Sequence, residues 1–165
     1  MTTIRFSWIP TVLAIGIFAL TPRPSAAAEA KGGKILYDTK ADGTEQIKAA
    51  LEQAAKENKN VILKFGANWC GWCHRLSGTF KTNPEIAKTL KENYVLVLID
   101  VDKGHNAEVV TKYGEPTKHG LPVLVVLDKT GKQLWTQDTG KLEEGDHHDP
   151  AKVMAFLTKW TPAKQ

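Results

Sequence analysis

The 165 residues, 42% apolar and 24% charged, suffice for one well-cored domain and are too few for two of ordinary size. The 22 basic and 18 acidic side chains are interleaved, with no Lys/Arg stripe of the kind that tracks phosphates, so no nucleic-acid partner is expected. Only two cysteines occur, Cys70 and Cys73, and a disulfide between them would close almost no loop, so they are expected to be reactive rather than architectural.

Met1 to Ser7 carries Arg5 and no acid, Trp8 to Leu20 is a short apolar run, and Ser25-Ala26-Ala27-Ala28 offers the small residues of a leader cleavage site. Residues 1–28 are therefore expected to be a signal peptide, 29–34 a linker with Gly32 and Gly33, and 35–165 the folded domain. Periplasmic or otherwise secreted localisation follows from that expectation. An uncleaved membrane anchor is the alternative, kept open by Arg23, although the apolar run is short for a bilayer span.

In chain order, Ile35, Leu36 and Tyr37 suggest a first edge strand. Asp42-Gly43-Thr44 predicts a turn and cap for a helix carrying Ile47, Leu51 and Ala54, ended by Asn58 to Asn60. Val61 to Phe65 has the length and composition of a buried strand, and it runs straight into the cysteine segment. A helix is expected from Gly71 to Phe80, and another from the Asn83-Pro84-Glu85 cap to about Glu92. Tyr94 to Val101 reads as a strand, Asn106 as the cap of a helix reaching Tyr113, and Leu121 to Leu127 as a further strand. Asp128 to Gly131 predicts a turn into an antiparallel partner, Lys132 to Thr136. Asp149-Pro150 caps a last helix with Val153, Phe156, Leu157 and Trp160 on one face. The order predicts an α/β fold, a central mixed sheet with helices on both faces. Trp135 and Trp160 are expected to fill its core.

The chemistry is expected at the junction of the Val61 to Phe65 strand and the following helix. Cys70 sits where unpaired backbone N–H groups and the helix dipole favour an anion, which lowers a thiol pKa from about 8.5. It would attack a substrate disulfide, and Cys73, one helical turn later, would resolve the mixed disulfide. A C-x-x-C alone also serves metal sites. The strand before it, the helix after it and a second strand opened by Pro122 strengthen the redox reading.

The segment Phe65-Gly66-Ala67-Asn68-Trp69-Cys70-Gly71-Trp72-Cys73 resembles the active site of thioredoxin-like proteins, and Gly120-Leu121-Pro122 resembles their cis-proline loop. The element order from Ile35 to Trp160 agrees. The resemblance implies a monomeric, cofactor-free thiol-disulfide oxidoreductase of thioredoxin-like fold acting on protein thiols and disulfides, with a membrane-bound redox partner. It implies that Trp69, Gly71 and Trp72 line the substrate groove, that Pro122 is cis and faces the sulfurs, and that Leu121 offers its backbone to an extended substrate. Whether the enzyme reduces, oxidises or isomerises stays open.

Two departures from the family pattern stand out. Trp72 occupies a place where proline is common, and Lys64 one where a buried acid is common, so the proton acceptor for the resolving thiol is missing. A Lys64 ammonium reaching the sulfurs would favour thiolate and push the protein toward an oxidant. The simpler expectation is a stem lying along the sheet with its charge in water.

Other readings are open at this stage. Cys70 to His74 also spells C-x-x-C-H, the attachment pattern of c-type haem, for which Met154 is the sole methionine outside the leader. Thiolate binding of Cu(I) is chemically reasonable. His74 is expected on the helix surface, able to tune Cys73, and His119 is a similar case. Asp146-His147-His148-Asp149 contains ligand types, but neighbours in sequence converge poorly on one ion, so a solvated loop is expected.

Overall fold

A computed structural model describes residues 35–163; the expected leader, its anchor alternative and the whole of the expected linker lie outside the described residues. Among the described residues no helix is long and apolar enough to cross a membrane.

The central element is β1 (Asn60–Gly66), buried along its whole length because both faces are covered. It pairs in parallel with β2 (Tyr94–Asp100) and antiparallel with β3 (Val123–Leu127), which pairs with β4 (Gln133–Asp138). The sheet order is β2-β1-β3-β4, a mixed sheet as expected. Alternation along β1 sends Val61, Leu63 and Phe65 to one face, where α1 (Gly43–Glu57) and α4 (Ala107–Lys112) supply Ile47, Ala54, Val109 and Val110. Ile62 faces the other side, among Leu76 and Phe80 of α2 (Gly71–Thr82), Ile86 and Leu90 of α3 (Pro84–Asn93), and Val153, Phe156 and Leu157 of α5 (Pro150–Lys159).

Most local signals act as their chemistry predicts. The Asp42 carboxylate accepts from the Thr44 and Glu45 amides, Asn83 from Glu85 and Ile86, and Asp149 from Ala151. Asn58 ends α1 in the left-handed conformation. Asp128 gathers the Thr130 and Lys132 amides to close the β3–β4 turn.

Four expectations change. Ile35 to Tyr37 form no strand: the Leu36 and Tyr37 amides are bonded to Asn68 Oδ1 at 2.7 and 2.8 Å, and Asn68 Nδ2 returns to the Tyr37 carbonyl at 2.9 Å. A side chain, rather than a strand ladder, satisfies that backbone. Trp135 lies outside the core at 43% exposure, stacked on the half-buried Trp160 with ring centroids 5.5 Å apart and Lys159 Nζ over both rings. Asp146 to Asp149 is no solvated loop: β5 (Glu143–Glu144) and β6 (His147–His148) form a hairpin beside α2 that buries His148.

Asn106 precedes α4 but does not cap it. Its side chain instead accepts from the Gly43 amide at 2.8 Å and donates to the Asp100 carbonyl at 3.0 Å, tying the start of α1 to the end of β2. Its φ of 56° is one that Asn tolerates and Ala resists. Asn106→Ala is expected to cost about 2 kcal/mol or more, from two lost buried hydrogen bonds and the backbone. Asn106→Gly, which keeps the conformation accessible, should lose less; urea midpoints at unchanged m-value measure both.

Candidate active site

The site grows from the exit of β1. Cys70 N donates to the Ala67 carbonyl at 3.1 Å, turning the chain at once into α2, and Cys70 occupies the helix N-cap position with extended backbone, φ −76° and ψ 104°.

 

Cys70 Sγ accepts the Cys73 amide at 3.1 Å, so the free N–H groups of α2 point at sulfur. The two cysteines are joined as a disulfide with Cα atoms 5.2 Å apart. Cys70 is 5% exposed and Cys73 wholly buried, so of the two only Cys70 keeps any contact with solvent.

The space under Cys73 exists because residue 66 is glycine. A Cβ there would lie 2.7 Å from Cys73 Sγ and 2.6 Å from Tyr37 Cζ, and would also strike the Tyr37 hydroxyl. Tyr37, fully buried, packs with both cysteines, with Leu36, Trp72, Leu98 and Leu121 around them. Burial, and then the charge of Asp100, push its phenol pKa upward.

The expectation for Lys64 is overturned. Its side chain is fully buried, with Nζ donating to the Cys73 carbonyl at 2.8 Å and to Ser77 Oγ, and standing 5.4 Å from the centre of the Tyr37 ring. Desolvation, with a smaller contribution from Lys81, pulls its pKa from 10.5 down to about 7. β1 points residue 64 to the face that α2 covers, so the stem has no route along the sheet to water.

The tryptophans beside the cysteines differ. Trp69 is 70% exposed and held by Nε1 donating to Asp102 Oδ1 at 2.8 Å. Trp72 is half-buried, with the Arg75 guanidinium 4.6 Å from its ring centre and the His148 ring edge-on at 5.3 Å. Gly71 is exposed between the cysteines. The Leu121–Pro122 bond is cis, with Leu121 packed against the cysteine cluster. His74 is half-buried and bonded through Nε2 to the Asn68 carbonyl at 2.8 Å, away from the sulfurs' own hydrogen bond. His119 is exposed in the turn before the Pro122 loop.

The rival readings of these motifs meet obstacles in this geometry. Cys73 is enclosed by Gly66 and Tyr37, which leaves no room for a porphyrin edge at its sulfur. In Asp146 to Asp149, His148 turns inward, His147 pairs with Asp146 at the surface, and Asp149 caps α5, so the four diverge.

Sequence reasoning missed Tyr37, Asn68, Asp100 and His148. Their roles come from contacts across 31 residues or more in sequence for the Asn68 clamp, and from a hairpin that carries no periodic pattern.

A thioredoxin-like family model matches residues 42–129, just over half of the chain. The chain belongs to the thioredoxin-like family. A solved structure of a disulphide isomerase from Xylella fastidiosa Temecula1 superimposes with a TM-score of 0.68 at 31% identity, over 76% of this chain and 95% of that one. The thiol:disulfide interchange protein DsbD of Pseudomonas fluorescens is 25% identical over 122 residues, 73% of this chain and 19% of its own length. Spermatogenesis-associated protein 20 of Mus musculus is 34% identical over 61 residues, 37% of this chain and 8% of its own. The chain thus spans a small part of these curated relatives. The β5–β6 hairpin and α5 lie beyond the family match.

His148 supplies a pH test. Its ring is 1% exposed with neither nitrogen hydrogen-bonded among the described residues, and desolvation, then Lys64, Arg75 and His147, push its pKa from 6.5 to about 4. A base whose folded pKa is depressed contributes stability above 6.5 that is lost as pH falls toward 4, because the unfolded chain takes up the proton first. His148→Phe is expected to flatten that portion of the acid limb in melting curves between pH 6.5 and 4, leaving the curve above 6.5 parallel to wild type.

Proposed function

We propose that this chain catalyses thiol-disulfide exchange on protein substrates outside the cytoplasm, with Cys70 as nucleophile and Cys73 as resolving thiol. The observation that carries this reading is the pair itself: a sulfur receiving an amide at a helix N-terminus, on the less buried of the two cysteines, bonded to a fully buried one a turn later. The amide and helix dipole stabilise the Cys70 thiolate. It attacks a substrate disulfide, one substrate sulfur leaves as thiolate, and Cys73 then displaces the other, re-forming the Cys70–Cys73 bond. Two electrons pass to the substrate; the reverse sequence oxidises a dithiol.

Trp69, Gly71 and Trp72 form one wall of the groove in this reading and Leu121 with cis-Pro122 the other, where an extended segment can bond the Leu121 backbone. The names of the DsbD and disulphide isomerase relatives support exchange chemistry. Export rests on the leader-like residues 1–28, and an exported dithiol needs a redox partner, for which a membrane-bound protein is proposed. The folded domain acts as a monomer, and its direction is set by that partner.

Cys70→Ser is expected to abolish turnover of a protein disulfide in a thiol-coupled assay. Cys73→Ser should accumulate a Cys70 mixed disulfide visible by mass spectrometry. A Cys73→Ser protein that turns over normally would remove Cys73 from the resolving role.

Lys64 bears on direction. A buried cation bonded to the Cys73 carbonyl favours thiolate, stabilises the dithiol form, and makes the couple more oxidising. Lys64→Met is expected to move the potential to more negative values, by about 30 mV for each unit the thiolate pKa rises. Equilibration with glutathione measures it, and an unchanged potential assigns the lysine to packing alone.

A further inference from the structure

Resolution requires Cys73 to lose a proton, and Cys73 is sealed from water. With the cysteines joined, two buried polar atoms around Gly66 have no hydrogen-bond partner among the described residues, neither each other nor Cys73 Sγ: the Tyr37 hydroxyl and Asp100 Oδ1. The Tyr37 hydroxyl and Cys73 Sγ crowd the same Cβ-sized space over Gly66. Asp100 is the ladder partner of Gly66 on the neighbouring strand, 2% exposed, and its charge is felt by the Tyr37 phenol. The other Asp100 oxygen, Oδ2, lies 3.1 Å from Nδ1 of His105, whose side chain is 31% exposed. That nitrogen is also 3.4 Å from Asn106 Nδ2, so it stands between an acceptor and a donor.

Resting on the exchange reading above, we propose that Tyr37, Asp100 and His105 form the path by which the Cys73 thiol exchanges its proton with solvent. Once the disulfide opens, the Tyr37 hydroxyl turns to bridge Cys73 Sγ and Asp100 Oδ1; as Cys73 S–H gives its proton to the Tyr37 oxygen, Tyr37 O–H passes its own to Asp100, so the phenol is never ionised. Asp100 hands the proton to His105, which releases it to water. The Cys73 thiolate attacks Cys70 Sγ of the mixed disulfide, forming the Cys70–Cys73 bond and breaking the bond to substrate. The departing substrate thiolate is protonated by solvent, and in the opposite direction every transfer reverses.

The charged and titratable groups around the path are Lys64 of β1, over the Tyr37 ring, Arg75 of α2, His148 of β6, and Asp102 beyond the end of β2. Lys64 points its donors at Cys73 O and Ser77 Oγ, and no hydrogen bond joins it to Cys73 Sγ among the described residues. Tyr37 and Asp100 are positioning and relay groups; the reacting atoms are the sulfurs.

The test mixes the reduced protein with excess 5,5′-dithiobis(2-nitrobenzoate) in a stopped-flow instrument. The first release of chromophore reports Cys70 attack, and the second reports resolution by Cys73. Tyr37→Phe and Asp100→Asn should leave the first phase unchanged and slow the second by about 100-fold at pH 7. The second-phase rate of the variants should rise about tenfold per pH unit, as hydroxide takes over, while the wild-type rate stays level. His105→Gln, a partly exposed change, gives the same readout with a smaller loss should a core variant fail to fold.

An unaltered second phase in folded Tyr37→Phe, or in His105→Gln where that variant is the one available, overturns the path. So does a second phase slowed by Lys64→Met but not by Tyr37→Phe. A wild-type protein with no first phase overturns the exchange reading and the path together, whereas a normal first phase keeps the two separate.

Discussion

The amide of Cys73 pointing at Cys70 Sγ is the contact on which the site depends, because it exists only if a buried strand hands over to a helix within a few residues. β1 is covered on both faces and cannot shift, so the Ala67 to Cys70 turn leaves it at a fixed place. No acid stands in the first turn of α2 to compete for its amides. The same turn drives Cys73 inward, over a glycine whose missing side chain makes room. Accessibility of one sulfur and enclosure of the other are thus two results of one piece of backbone.

Enclosure has an energetic consequence, since the polar groups packed on Cys73 and on its neighbours Gly66 and Trp72 are buried too. Lys64, Tyr37, Asp100 and His148 are each at most 2% exposed, and several of their polar atoms find no partner among the described residues. Unpaired buried donors and acceptors cost about 1–3 kcal/mol each. A fold that only had to be stable would place apolar side chains there. Their concentration around one disulfide, while the faces lined by Ile47 and by Ile62 are apolar, marks the place where stability yields to chemistry.

Local chemistry was readable in the sequence, and contact across long separations was not. The caps Asp42, Asn83 and Asp149, the all-apolar run of β1 and the Asp128 turn depend on residues a few positions apart. The Cys70–Cys73 pair belongs with them, because its geometry follows from one helical turn. Ile35 to Tyr37 has strand composition, yet Asn68 claims its amides, and nothing in either segment signals the other. Lys64 looks like an amphipathic surface residue until the helix that covers it is known. His148 sits in a run of polar letters that reads as loop, and only the hairpin turns it inward. Trp135 errs the other way: its size suggests core, but β4 is an edge strand.

The two tryptophans that frame the cysteines follow from the same division. Trp69 owes its orientation to one exposed hydrogen bond with Asp102, a contact in competition with water. Trp72 is gripped by a guanidinium from its own helix and by His148 from a hairpin outside the family match, a cation–π and an edge-to-face contact of about 0.5–1.5 kcal/mol apiece. Turning the Trp72 ring would break both contacts and expose the buried imidazole, whereas turning Trp69 breaks one bond that water replaces. The surface beside Cys70 therefore yields at Trp69 and is stiff at Trp72. The stiffness at Trp72 is supplied by a hairpin far along the sequence from the cysteines.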